Sequence, residues 1–158
     1  MSKNEKSLNW PNRALKIGKC FTLEQLHPDT IVWLQRPKTE SVLVACSGGP
    51  DSVVLLCVLW AHAKKLKINL IVGHYNHRWR ASKSDDDAQF VAKMAEDLDC
   101  EFIGGVRPDD QPACTETSAR VLRMEFLRGE AHLHNCQCIV FGHQLDDILE
   151  LQLQRIVR

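Results

Sequence analysis

The stretch SVLVACSGGPDSVVLLCVLW, residues 41–60, decides how this chain folds. Its start, SVLVAC, is an apolar run typical of a buried β-strand, and its end begins an apolar-rich segment long enough for a helix. Between them lie two glycines, a proline, two hydroxyls and a carboxylate, in the order SGGPDS. A strand that enters a helix through such a loop exposes backbone N–H groups and the positive end of the helix dipole, which together favour an anion.

The loop SGGPDS, residues 47–52, has the residue types that a phosphate site needs. Its glycines let the backbone approach a phosphate closely, and its serines add hydroxyl donors. Asp51 suits such a site if a divalent cation is shared with the phosphates. The loop therefore predicts a nucleotide–magnesium site, while a plain strand-to-helix turn capped by Ser47 and Asp51 is the alternative. The sequence lacks GxxxxGK[ST] and GxGxxG, which disfavours P-loop hydrolases and dinucleotide-binding enzymes.

Strand and helix patterns alternate along the rest of the chain. Such alternation is typical of an α/β fold, in which a twisted parallel sheet has right-handed crossovers and helices on both faces. We predict strands at 41–46, 68–74, 101–106 and 138–142, and helices at 52–65, 85–98 with Ser84 as cap, 115–133, and 144 to the end.

The first 40 residues are predicted to be an N-terminal extension and linker, and residues 41–158 the main domain. Residues 1–36 are expected to be irregular, apart from a short helix capped by Thr22 that stops near His27.

Composition places the chain among globular proteins: 44% of its residues are hydrophobic, 25% are charged, and the net charge is zero. No apolar run approaches the roughly 20 residues of a membrane helix. Because the polar start lacks the apolar core of a secretory signal, we expect a cytoplasmic protein whose seven cysteines are reduced. Scattered cysteines and only two neighbouring histidines, His74 and His77, do not predict zinc.

Two predicted helices carry charged residues at helical spacing. Glu116, Arg120 and Arg123 share one helix face, where they can present two guanidiniums to phosphates or form a solvated face with one ion pair. Asp147 and Glu150 share a face near the start of the last helix. They can hold magnesium or an amine, or they are ordinary helix-start acids.

The segment HYNHRWR, residues 74–80, contains rings and cations but no acid. This composition suits contact with a nucleotide or RNA, although an exposed loop can have it too. His143, just before the last predicted helix, is open to three interpretations: a cap, a nucleotide contact or a surface residue.

Four segments together resemble a known family. SGGPDS matches the SGGxDS signature of the PP-loop ATP pyrophosphatases, which cleave ATP between its α and β phosphates and adenylate a substrate. TETSARVLRMEFL (115–127) resembles the ExxARxxRYxFL helix of the tRNA(Ile)-lysidine synthetases, and FGHQLDDILELQLQRIVR (141–158) resembles their GHHxDDxxETxLxRLxRG segment. VGHYNHRWR (72–80) stands where they carry VDHxLR. The order and spacing of the four segments agree over residues 41–158.

The resemblance implies a sheet of order 3-2-1-4 with the family's fifth strand missing, and places the loops after strands one and four side by side. It implies that ATP adenylates the wobble cytidine of tRNA(Ile) and that free L-lysine then displaces AMP. Implied ATP contacts are Ser47, Gly48, Gly49, Pro50, Asp51, Ser52, His74 and His143. Implied catalytic residues are Asp51, Arg120, Arg123, Asp147 and Glu150, with Asp51 and Asp147 on Mg²⁺ and with His77, Arg78 and Arg80 on RNA.

The chain departs from the family pattern at Met124, Ile148 and Leu151, and it ends at Arg158 where the family continues. An exposed fourth strand would need cover, from a missing C-terminal portion, a partner, a second copy or the first 40 residues. Two other functions stay open: a non-catalytic module that binds a nucleotide or a partner, and another PP-loop tRNA-modifying enzyme. A thiolase is disfavoured because no CxxC pair follows Asp147.

Overall fold

The protein is described here by a computed structural model, which describes residues 8–36, 39–78, 82–108 and 115–142. Its four parallel strands are β1 (Ser41–Ala45), β2 (Asn69–Asn76), β3 (Glu101–Val106) and β4 (Cys138–Phe141), in the order β3-β2-β1-β4. Its helices are α1 (Trp10–Cys20), α2 (Pro28–Leu34), α3 (Pro50–Leu66), α4 (Ser82–Asp97) and α5 (Glu116–Leu133). The predicted α/β class and the predicted order of these four strands are confirmed.

Both faces of the sheet are covered, as predicted. Along β1 the side chains alternate, so Val42 and Val44 belong to one apolar cluster and Leu43 to another. The first cluster contains apolar residues of α1, α3 and α4, and the second contains Leu127 and Ala131 of α5. Leu34 of α2 also belongs to the first cluster, so the sheet separates α5 from the other four helices.

Helix α3 begins two residues earlier than predicted. Gly49 is the N-cap, in an extended conformation, and Pro50 occupies the first helical position, where its missing N–H has no intrahelical partner to lose. The helix ends at Leu66, and the C-cap residue Lys67 has a left-handed φ of 58° and donates its N–H to the Ala63 carbonyl. The loop SGGPDS thus contributes its last three residues to the first turn of the helix.

The prediction that residues 1–36 are irregular is wrong, because they contain α1 and α2. Asn9 caps α1 by accepting a hydrogen bond from the Asn12 N–H at 3.0 Å. The buried residues of α1 are Trp10, Ala14 and Gly18, with Ile17 partly buried beside them, so small residues interrupt the apolar pattern in the sequence. His27 caps α2 rather than ending a helix, since the proline that follows it begins α2. The predicted cap Thr22 does precede a short 3₁₀ turn, Leu23–Gln25.

Two further boundaries differ near the end of β2. The strand continues to Asn76, so His74 lies within it rather than at its end. Helix α4 begins at Ser82, so Ser84 lies in its first turn and is not its cap. Asp85 accepts a hydrogen bond from the Asn76 side chain at 2.7 Å, which joins α4 to the end of β2.

Helix α1 packs on α3 and reaches α4, so its main contacts are with helices. The expectation that the first 40 residues cover the edge of β4 stays a prediction. Within the described ranges, no helix has the length and apolar character that crossing a membrane requires.

Candidate functional site

A cavity of about 530 Å³ lies at the carboxyl ends of the strands. Its wall is formed by the loop after β1, the end of β2, the first turns of α4, the middle of α5 and Gly142 after β4. In the order β3-β2-β1-β4, the strands that follow β1 lie first on one side of it and then, with β4, on the other. Ligands of open parallel sheets bind at the point where the strand order reverses in this way. The cavity is therefore the site that the fold itself favours.

The two serines of the loop hold its turn in shape. The Ser52 hydroxyl donates to the Gly49 carbonyl at 2.9 Å and accepts from the Ser47 N–H at 3.2 Å. The Ser47 hydroxyl accepts from the Gly49 N–H at 3.3 Å and lies 3.2 Å from the Ser52 hydroxyl. Ser52 is buried and Ser47 is exposed at the cavity, so Ser47 is the more accessible of the two to a ligand.

Gly48 takes a backbone conformation that only glycine adopts readily. Its φ is +89°, and a Cβ at this position would lie 3.5 Å from both Asp87 Cβ and Val91 Cγ2. The loop thus rests against α4. Pro50 and Asp51 line the cavity from the first turn of α3, where the helix dipole favours negative charge.

The loops after β1 and β4 touch, as the sequence resemblance implied. A Cβ on Gly142 would lie 2.9 Å from the Asp51 carbonyl oxygen and 3.0 Å from Ser52 Cα. Residues 143–158, which include His143, Asp147 and Glu150, lie outside the described residues. That these three side chains reach the cavity stays a prediction. The segment that carries them follows directly after Gly142, which lines the cavity.

Substituting Gly142 by alanine should push the two loops apart. The added methyl group would meet backbone atoms of Asp51 and Ser52, which cannot rotate away as side chains do. We expect the affinity for ATP to fall at least about tenfold, with a loss of about 1–3 kcal/mol in the free energy of unfolding. Isothermal titration with ATP and urea unfolding measure both.

Gly129→Ala is the matched control for this substitution. A Cβ on Gly129 would meet nothing within 4 Å, and the residue lies inside α5. Alanine there should leave ATP affinity unchanged and stabilise the protein by up to about 1 kcal/mol through helix propensity. Equal ATP affinities for the Gly142→Ala protein and the wild type would contradict the close packing of the two loops.

His74 is buried in the cavity wall and has a defined tautomer. Its Nδ1 lies 2.8 Å from the Cys46 carbonyl oxygen, which can only accept, so Nδ1 carries the hydrogen. Burial lowers the pKa of His74 below its usual 6.5, against the opposing effects of that hydrogen bond and of Asp87. The neutral ring therefore keeps Nε2 as an acceptor for a ligand donor.

The lowered pKa of His74 should make stability depend on pH. The unfolded chain binds a proton on His74 below pH 6.5, whereas the folded chain resists it, so folding is favoured above pH 6.5 and progressively less as pH falls below it. His77 has the same sign, because burial and Arg123 lower its pKa. We expect the free energy of unfolding in urea to drop between pH 7 and 5, and to drop less in His74→Asn, whose amide keeps a donor near the Cys46 carbonyl.

The exposed His132, on α5, provides the control for that experiment. The His132→Asn protein should follow the wild-type pH curve. A His74→Asn protein with the full wild-type pH dependence would show that His74 does not resist protonation in the folded state.

Helix α5 brings one of its two predicted arginines to the cavity. Arg123 lines the wall and is partly buried, and burial followed by the neighbouring charge of Arg120 lowers its pKa. Its Nε is buried and has no hydrogen-bond partner among the described residues. Arg120 and Glu116 are exposed and do not line the cavity. An anion in the cavity would supply the partner that Arg123 lacks.

Aromatic rings lie near Arg123 at the end of β2. The ring of Tyr75 contacts His77 edge-on at 4.9 Å between centroids and Phe126 at 5.3 Å. Arg78 has a left-handed φ of 55°, and its N–H donates to the Asn76 side chain at 2.8 Å. The predicted RNA-contacting residues His77 and Arg78 thus lie at the end of β2, with His77 on the cavity wall, while Arg80 lies outside the described residues.

Sequence reasoning gave no site role to Ser84 and Asp87, and it included Tyr75 and Asn76 only as part of the segment HYNHRWR; all four line the cavity. Asp85, Asp86 and Asp87 stand near the start of a helix, where acids are favoured whatever their function, so the sequence alone predicts no site for them. In the structure, Asp85 accepts a hydrogen bond from the Asn76 side chain, and Asp87 lies in the cavity wall near His74. Ser84, one turn before Asp87 on α4, also lines the cavity.

The carboxylates of the cavity fit a magnesium ion that arrives with a nucleotide. Asp51 and Asp87 both line the wall, and the described residues include no cluster of three or more metal-binding side chains. Mg²⁺ commonly takes one or two carboxylates together with phosphates and water, rather than an all-protein cage. The donor set therefore fits a shared Mg²⁺.

This combination of sheet order, glycine loop and cavity defines a PP-loop domain. The PP-loop domain model matches residues 23–158, and the chain belongs to that family. Among curated proteins, the chain is 32% identical to the tRNA(Ile)-lysidine synthase of Dehalococcoides mccartyi, covering 75% of this chain and 26% of that protein. It is 31% identical to that of Rhodopirellula baltica, covering 78% of this chain and 36% of that protein.

The chain therefore spans about a quarter to a third of the length of these curated relatives. Among solved structures, the U34-tRNA thiolase from Methanococcus maripaludis, with its 4Fe-4S cluster, is similar with a TM-score of 0.67. That likeness covers 94% of this chain and 49% of the thiolase at 20% identity, and it shows the fold.

Proposed function

We propose that this chain is the ATP-binding, adenylating part of a tRNA(Ile)-lysidine synthetase that acts in the cytoplasm. ATP would adenylate the wobble cytidine of tRNA(Ile) with release of pyrophosphate, and the ε-amine of L-lysine would then displace AMP. The observation that carries the proposal is the cavity in which the SGGPDS loop, Gly142 and Arg123 meet. The similarity to lysidine synthases supports this substrate over others.

The loop at the start of α3 would hold the phosphates of ATP. The helix N-terminus offers backbone N–H groups and a favourable dipole, and the exposed Ser47 adds a hydroxyl. Gly48 and Gly49 shape the loop, and Pro50 and Ser52 keep its turn. His74, with Nε2 as an acceptor, would receive a hydrogen bond from a donor group of the nucleotide, and His143 is proposed as a further contact.

Arg123 would stabilise the charge that develops as the bond between the α and β phosphates breaks. A partly desolvated guanidinium interacts more strongly with a phosphate than one in bulk water, and it is already in place. Arg120, exposed one turn earlier on α5, is proposed to contribute from the mouth of the cavity. Bound Mg²⁺ supplies charge neutralisation of the phosphates, and Asp51 and Asp147 are proposed to hold it.

RNA would enter past the end of β2. Tyr75 and His77 provide rings for a base, and Arg78 and Arg80 provide cations for its phosphates. Glu150 and Asp147, both carboxylates, are proposed to bind the lysine ammonium near the segment that starts at Gly142.

The experiment measures two steps in order. Radiolabelled pyrophosphate exchange into ATP, dependent on tRNA(Ile), reports adenylation, and incorporation of labelled lysine into the same tRNA reports the second step. A tRNA(Ile) transcript with uridine in place of the wobble cytidine is the matched control and should support neither. Binding of ATP without exchange would favour the non-catalytic module, and exchange without lysine incorporation would favour another tRNA-modifying reaction.

A further inference from the structure

Helix α1 uses its apolar side inside the molecule. Trp10, Ala14 and Gly18, four residues apart, are buried, and a Cβ on Gly18 would collide with the Ala61 side chain of α3. The Trp10 ring contacts Phe90 of α4 edge-on at 5.7 Å. This close packing fixes which side of α1 faces outward.

The outward side of α1 continues onto the end of α3 as a surface of cations. We call it the α1–α3 basic surface, and it consists of the exposed residues Arg13, Lys16, Lys19, Lys64, Lys65 and Lys67. His62 of α3, one turn before Lys65, lies 3.2 Å by its Nε2 from the Phe21 carbonyl oxygen just after α1, which joins the two groups of cations.

The two segments that carry this surface contain no acid: residues 8–23 and 52–68 have neither Asp nor Glu. Glu24 lies nearby, and its pKa is lowered first by a hydrogen bond from Thr22 and to a smaller extent by Lys65 and His62. Six cations thus lie on two segments that contribute no acid of their own, in a chain whose net charge is zero.

The α3 part of this surface lies far from the cavity. Helix α3 starts at the cavity with Pro50 and ends beside the surface at Leu66, and its 17 residues span about 25 Å. A nucleotide cannot reach both places, whereas an RNA that contacts the cavity and continues over the protein can. A membrane surface fits less well, because a helix that binds a bilayer needs a continuous apolar side, and Leu15 is the one large apolar residue that α1 exposes, with Leu8 and Phe21 flanking the helix.

We propose that the α1–α3 basic surface binds the phosphate backbone of tRNA away from the reacting nucleotide. The proposal rests on the proposed function for the identity of the RNA. The PP-loop domain match begins at residue 23, so α1 adds its half of the surface from outside the matched range. Phosphate contacts of this kind position an RNA without reading its sequence.

The test compares binding of fluorescent tRNA to the wild type and to the Lys16→Gln/Lys19→Gln protein over a range of salt, without ATP. Affinity for RNA falls as salt rises, and each lost phosphate contact makes the slope of log affinity against log salt shallower by about 0.7–0.9. For the double variant we expect a slope shallower by roughly 1.5 and an affinity roughly tenfold weaker near physiological salt. Far-ultraviolet circular dichroism and the urea midpoint confirm that the double variant is folded.

Arg128→Glu is the matched control. It changes the net charge by the same two units, and it lies exposed on α5, across the sheet. Its slope should stay at the wild-type value. An unchanged slope in the lysine double variant, or an equal loss in Arg128→Glu, would overturn the proposal.

A parallel arm uses vesicles of phosphatidylserine and phosphatidylcholine. Binding to these vesicles that the lysine substitutions abolish, together with unchanged tRNA binding, would also overturn the proposal in favour of a membrane surface. Because these assays contain no ATP, their outcome is independent of pyrophosphate exchange. Failure of the RNA surface is therefore distinguishable from failure of the proposed function.

Discussion

Replacing Asp51 by asparagine is expected to lower magnesium-dependent ATP–pyrophosphate exchange at least about 100-fold while the protein stays folded. Asp51 is exposed on the cavity wall in the first turn of α3, directly beside Gly142. Phosphates and a carboxylate repel each other, so an acid at this place is useful chiefly through a shared cation. Asparagine keeps the shape and removes the charge, so nucleotide affinity measured without Mg²⁺ should rise or stay unchanged.

Asp86→Asn is the matched control for Asp51→Asn. Asp86 is also an exposed acid at the start of a helix, but it does not line the cavity. Both substitutions should cost well under about 1 kcal/mol through the helix dipole, and only Asp51→Asn should affect exchange. Wild-type exchange by Asp51→Asn at limiting Mg²⁺ would remove Asp51 from the mechanism.

The central part of this site could be predicted from the sequence because its signals are local. An apolar run, a glycine loop and a helix that follow one another leave few alternatives for residues 41–66. Alternation of strands and helices then predicts a parallel sheet, and the loop must lie at its carboxyl edge. Two boundaries differ from the prediction by two residues each. Helix α3 begins earlier, because Pro50 can occupy its first position, and strand β2 continues to Asn76.

The rest of the site depends on packing between distant parts of the chain. Asp87 reaches the cavity only because α4 rests against Gly48, and no local pattern encodes that contact. Helix α1 was missed because small residues form its buried side, and small residues give a weak apolar signal until the partner helix is known. Spacing also placed Arg120 and Arg123 on one face correctly, but it could not give their depth.

The difference in depth between the two arginines leads to the second large prediction. Arg123→Met should lower the maximal rate of exchange by about 100- to 1000-fold, because the partly buried guanidinium is the cation already desolvated in the cavity wall. Arg120→Met, which removes an exposed cation outside the lining, should have a smaller effect on that rate. Arg123→Lys should restore only part of it, since an ammonium lacks the planar fork of guanidinium donors.

Stability should change in the opposite direction from activity at this position. The Arg123 Nε is buried without a hydrogen-bond partner among the described residues, so the folded protein without ligand bears a cost for holding that charge. Methionine, similar in length and apolar, removes this cost, and we expect the free energy of unfolding to stay equal or to rise by up to about 1 kcal/mol. Addition of ATP should stabilise the wild type more than the variant. A variant that loses both activity and stability would instead show that Arg123 serves the fold, because a residue kept for an absent anion has no reason to stabilise the protein without it.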